Sequence, residues 1–131
     1  MTKASLGIGT ALVIVGVIAT AAGSAQVPER AWSISVQIDS TKPDGSAWDA
    51  FGGAPDIALC GTSSGGAGCV VAEGTVARCQ DAFSCSFSVS LPETFSASLW
   101  DLDLAADDLV GTCYIDHPGT YRCGSATVTA R

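Results

Sequence analysis

Positive charge is scarce in this 131-residue chain: six Lys and Arg stand against 13 Asp and Glu, for a net charge of -7. So small a basic footprint excludes nucleic acid as a direct partner. The single histidine, His117, precedes Pro118-Gly119, a turn signal, and is expected at the surface. Mechanisms built on two histidines, and nitrogen-rich zinc sites, are therefore set aside. No Cys-x-x-Cys pair is present, which removes zinc knuckles and thioredoxin-like redox motifs. Gly-x-Ser-x-Gly and His-Glu-x-x-His are also missing, and Gly65-Gly66-Ala67-Gly68 lacks the Lys-Ser/Thr ending of a phosphate loop, so it reads as a hairpin tip. From Ala31 on, nothing sustains a 3.6-residue apolar stripe. The composition, 47% apolar and 15% charged, is nonetheless too apolar for a disordered tail, and the length suits one domain.

What is present begins with a leader. Lys3 supplies a positive start, and residues 6–22 are apolar or small without an acid or base. Residues 1–25 thus read either as a signal peptide, cleaved after Ala25, or as an N-terminal anchor, since the uncharged run from 4 to 25 is long enough to span a bilayer. Both readings place the domain of residues 26–131 outside the cytoplasm, secreted, periplasmic or tethered. Six cysteines suit that compartment: Cys60, Cys69, Cys79, Cys85, Cys113 and Cys123 are expected to form three structural disulfides. Pairing in sequence order would close three local hairpins.

Short runs of strand-forming residues alternate with Gly, Ser, Pro and Asp clusters, which makes the fold class all-β. Residues 32–38 alternate perfectly, with Trp32, Ile34, Val36 and Ile38 on one face and Ser33, Ser35 and Gln37 on the other. Further candidate strands are 57–60, 69–71, 74–79, 85–91, 95–100, 110–115 and 121–129. Seven or eight short strands predict an antiparallel β-sandwich whose modest core is helped by disulfides.

Eight of the 13 acids fall in two windows, residues 39–56 and 100–111, each linking two apolar runs. Alternation through residues 95–104 sends Leu99, Asp101 and Asp103 to one side and Trp100, Leu102 and Leu104 to the other. Two carboxylates about 4 Å apart repel by roughly 1 kcal/mol in water and by more where solvent is excluded. If the two loops meet at one end of the sandwich, only Lys42 is near enough to neutralise them. Calcium suits such a set, because it takes six to eight oxygen ligands in flexible geometry, whereas zinc and copper want the nitrogen and sulfur that are lacking. Taken singly, each Asp is a favoured turn residue, and Asp39, Asp44 and Asp107 remain open between turn and ligand. The run is no EF-hand, for no Glu stands at its twelfth position.

In these two loops the sequence resembles the C2 domain family of calcium-dependent lipid-binding sandwiches. Asp49-Ala-Phe-Gly-Gly-Ala-Pro-Asp56-Ile is similar to that family's first loop, and Trp100-Asp101-Leu-Asp103-Leu-Ala-Ala-Asp107-Asp108-Leu-Val-Gly111 to its third. The resemblance implies a C2-like sandwich in which Asp49, Asp56, Asp101, Asp103 and Asp108 are side-chain calcium ligands. Leu102 and Asp107 match positions that assist, with Asp44 a further weaker candidate. It also implies binding rather than catalysis, with calcium bridging the loops to an anionic phospholipid surface or to another protein. Apolar Trp48, Phe51 and Leu104 near the loop tips either insert into that surface or anchor the loops. The competing expectation is a disulfide-stapled extracytoplasmic adhesion or interaction sandwich that binds no metal. A hydrolase using Asp101 and Asp103 is disfavoured, because adjacent carboxylates on one face are too close for an inverting glycosidase. If all six cysteines are bridged, intact-mass measurement should show six protons gained on reduction and no alkylatable thiol in the native protein.

Overall fold

The computed structural model describes residues 27–62 and 75–131. The expected leader 1–25, the glycine-rich 65–68, the candidate strand 69–71 and Cys69 lie outside the described residues. Among those described there is no helix, and eight strands run in the order β1 Glu29–Ile38, β2 Ile57–Thr62, β3 Thr75–Cys79, β4 Ser84–Pro92, β5 Phe95–Asp101, β6 Asp108–Ile115, β7 Gly119–Cys123 and β8 Ala126–Ala130. They form two four-stranded sheets, ordered β4-β1-β8-β7 and β3-β2-β5-β6, with every pairing antiparallel. The expected β-sandwich is the fold observed.

Alternation accounts for the first sheet. Trp32, Ile34, Val36 and Ile38 are buried, while Ser33, Ser35 and Gln37 face solvent. They meet Ile57, Leu59, Phe95, Ala97, Leu99, Val110 and Ile115 of the second sheet in one core. At its centre Trp32 packs edge-on to Phe95 with ring centroids 5.5 Å apart, a contact worth roughly 1 kcal/mol beyond area burial. The indole N–H of Trp32 donates to the Pro92 carbonyl at 3.0 Å, so its polar atom is satisfied inside the core.

Two disulfides whose cysteines both lie among the described residues join the sheets. Cys79 of β3 bonds to Cys85 of β4, and Cys113 of β6 to Cys123 of β7. Each couples an edge strand of one sheet to an edge strand of the other, so these pairs follow sequence order but stitch the two sides of the sandwich rather than closing hairpins. Across closed loops this short, each contributes about 2–3 kcal/mol by restricting the unfolded chain. Cys60 is buried and disulfide-bonded.

The expected single strand over 121–129 is two strands. Buried positions fall on Cys123 and then on Ala126, Val128 and Ala130, a change of phase that requires a turn between them. Gly124 makes that turn at φ +58. A Cβ on Gly124 would lie 2.5 Å from the Val110 carbonyl oxygen, and one on Gly111 would lie 1.9 Å from that of Cys123. The turn therefore presses backbone to backbone on β6, sealed by the Ser125 N–H donating to Val110 O at 3.0 Å.

The connections 39–56, 80–83, 102–107 and 124–125 all emerge at one end of the sandwich, cross-linked by backbone bonds from Asp39 N–H to Ser125 O and from Leu102 N–H to Asp56 O. Gly111→Ala should destabilise the protein by about 2 kcal/mol through overpacking, read as a lower urea midpoint; an unchanged midpoint would contradict this close approach.

Candidate functional site

The two acidic loops do meet. Asp49 and Asp56 from one, with Asp103 and Asp108 from the other, line a crevice of about 680 Å³ together with Lys42, Trp48, Phe51, Leu102 and Leu104. Loop 39–56 is built from turns. Lys42 N–H donates to Ser46 O and Gly45 N–H to Lys42 O, and the Asp44 carboxylate accepts from the N–H and hydroxyl of Ser46 at 2.9 and 2.6 Å. Those bonds hold the Asp44 carboxyl below the usual carboxylate range. Asp44 is thus engaged in a turn and does not line the crevice. A second turn brings Gly52 N–H to Asp49 O, with Asp49 Oδ1 accepting from Phe51 N–H at 3.2 Å. Trp48, half-way along, is buried and donates its indole N–H to Asp39 O at 2.8 Å.

Trp48 is accordingly an anchor. Phe51 and Leu104 are the true tips, 98% and 111% exposed. Asp39 lies apart, in an ion pair with Arg122 that lowers its pKa.

The second loop departs from simple alternation. β5 ends at Asp101, because Leu102 N–H turns back to bond Asp56 O at 2.8 Å. Asp101 is 2% exposed, whereas Asp103, expected beside it on one face of a continuing strand, sits in the exposed loop. Asp101 Oδ1 accepts the Asp56 N–H at 2.9 Å, while its Oδ2 is buried with no hydrogen-bond partner among the described residues. Burial pushes this carboxyl up to about 6, opposed by the Asp56 hydrogen bond and aided by the charge of Asp103. Asp107 does not line the crevice; its carboxylate accepts the Asp103 N–H at 3.2 Å and closes the loop. Asp108 is the first residue of β6 and is ion-paired with Lys42, which raises the pKa of the lysine.

One participant has no sequence signal. Asp81, in the β3–β4 connection at φ 48, donates its N–H to Asp56 Oδ1 at 2.7 Å, and Ala82 N–H bonds Pro55 O. Asp tolerates this left-handed conformation better than most residues, but nothing in the local sequence ties 80–83 to a residue 25 positions away. Asp56 consequently joins three segments: its N–H reaches β5, its carbonyl β5's exit and its carboxylate the third connection.

No family model matches this chain, and no match is found among curated proteins. The acidic residues lining the crevice, Asp49, Asp56, Asp103 and Asp108, offer carboxylate oxygens, a hard oxygen set with no histidine or cysteine among the described lining residues. Among the described residues, no three acidic, His or Cys side chains are gathered closely enough to hold an ion as they stand. The Oδ2 of Asp101 is the buried oxygen that a further cation would relieve, since a buried carboxylate oxygen without a hydrogen-bond donor is costly and the charge of Lys42 offsets that cost only in part.

The raised pKa has a definite sign. The native state takes up a proton on Asp101 near pH 6, before the unfolded chain does at 3.8, so ionisation at neutral pH weighs against the fold. In chelator, the Asp101 contribution should therefore increasingly favour the fold as the pH falls from about 7 to about 4, and Asp101→Asn should remove it, so that stability changes more favourably with falling pH in wild type than in the variant in parallel urea titrations. A wild-type change no more favourable than the variant's would refute the assignment.

Proposed function

We propose that the protein is an exported calcium-binding β-sandwich of C2-like type whose acidic loop end docks, once filled, on an anionic lipid surface. The observation that carries this reading is the crevice lined by Asp49, Asp56, Asp103 and Asp108, together with the orphaned Oδ2 of Asp101, a buried hydrogen-bond partner of Asp56 that does not itself line the crevice. Asp49, Asp56, Asp101, Asp103 and Asp108 would supply oxygen ligands, with Asp107 and Leu102 beside them. Calcium bound there would offset the repulsion among these carboxylates and satisfy Asp101. Affinities of about 10⁻⁴–10⁻³ M are ordinary for extracellular calcium modules, and disulfides persist in such compartments.

Electrostatics supplies the switch. Without metal the loop end repels anionic headgroups, and with metal it can share coordination positions with a phosphate oxygen. Phe51 and Leu104 flank the crevice with apolar surface that is fully open to an adjoining interface. Two observations favour the metal-free alternative, a disulfide-stapled adhesion or interaction module: Lys42 already neutralises Asp108, and among the described residues the carboxylates are not drawn together.

Thermal unfolding separates the two. At calcium ten times above its Kd, mass action stabilises the fold by about 1.4 kcal/mol, a rise in Tm of roughly 5–10 °C, and Asp101→Asn with Asp103→Asn should abolish it. Vesicles containing phosphatidylserine should co-sediment with the protein in calcium and not in chelator, and Phe51→Ser with Leu104→Ser should release it without changing the Tm shift. A Tm indifferent to calcium supports the metal-free module instead.

A further inference from the structure

We infer that Lys42 is a tethered cation that occupies the acidic crevice in the metal-free protein and that calcium must displace to bind; the inference rests on the calcium reading above. Lys42 and Lys3 are the chain's only lysines. The Lys42 ammonium pairs with Asp108 Oδ2, its charge also acts on Asp103 and Asp101, and it stands 5.8 Å from the Trp48 ring centroid. A positive charge is thus held in the crevice against Asp108, one of the five expected ligands, with Asp103 and Asp101 within electrostatic reach.

The tether is built so that the side chain can leave. The backbone of Lys42 is fixed independently of its ammonium, by its N–H to Ser46 O at 2.8 Å and by Gly45 N–H to its carbonyl at 2.9 Å. Asp108 is held in register opposite Asp101 by strand pairing. Swinging the lysine outward therefore frees a carboxylate without dismantling either loop. An ammonium contributes one charge and at most three hydrogen-bond donors, so it steadies the crevice without gathering six or more oxygens. That accounts for a site whose acids converge on one crevice yet are not closed to ligand distance. Calcium binding becomes an exchange of one cation for another, and the apparent affinity is reduced by the fraction of molecules in which Lys42 is in place. The device sets a calcium threshold and keeps the empty loops from splaying under their own charge.

The test uses the full chain. Calorimetric titration with calcium chloride should give a Kd roughly tenfold tighter for Lys42→Gln than for wild type, while Lys42→Arg, which keeps the charge, should stay near wild type. On wild-type protein carrying ¹³C-dimethylated lysines, the Lys42 resonance, assigned by its absence from Lys42→Gln, should move with calcium at the calorimetric Kd while Lys3 does not. Equal or weaker binding by Lys42→Gln, or a Lys42 signal unmoved at saturating calcium, overturns the tethered-cation role and leaves the calcium site standing. Failure of all three proteins to bind calcium at millimolar concentration overturns the calcium reading, and this inference with it.

Discussion

One buried carboxylate organises the functional end of this protein. Asp101 closes β5 on the core side of the sandwich, where water cannot reach it, and its Oδ1 accepts the N–H of Asp56 at the entry to β2. That bond fixes the exit of one acidic loop against the end of the other. Asp56 then passes the constraint on, through its carbonyl to Leu102 and through its carboxylate to Asp81 in a third connection. A residue of the core's solvent-free layer thereby sets where the exposed aspartates stand. The price is an Oδ2 without a partner and a carboxyl whose ionised form is disfavoured, which is the state a bound cation would relieve.

The sandwich around this end is closed mechanically as well as by hydrophobic burial. Cys79–Cys85 and Cys113–Cys123 tie opposite edges of the two sheets, and both bridges reach strand ends beside the acidic loops or the turn beneath them. Gly111 and Gly124 let the β7–β8 turn sit against β6 with no side chain between them. Strand ends held this rigidly support loops that carry many like charges, and Lys42 offsets part of the repulsion that remains.

Much of the fold was legible because its periodicity is local. Residues 32–38 alternate without exception, and every strand expected within the described residues is present, with the final run of 121–129 divided. That division was itself written in the sequence, as a slip of the inward positions from odd to even across Gly124, but strand-forming residues on both sides mask it. The loop aspartates were likewise visible as a clustered pattern. Their individual tasks were not: Asp44 serves a turn, Asp107 closes a loop, Asp108 pairs with lysine and Asp101 is buried, although all four are the same residue in similar surroundings. Trp48, Phe51 and Leu104 show the same limit, since one is an anchor and two are exposed tips.

Sequence by itself determined the all-β class, the one-sided faces of the strands, the concentration of acids in two loops and the near-absence of counter-charge, because each depends on residue identity and short spacing. Tertiary structure alone decided that the two loops share a crevice, that a third connection joins them through Asp81, that consecutive cysteines bridge sheets instead of hairpins, and which oxygen of which aspartate is left without a partner. Those outcomes depend on strand order and register, which bring residues 25 to 45 positions apart within hydrogen-bonding distance, and on the desolvation that only a packed core imposes.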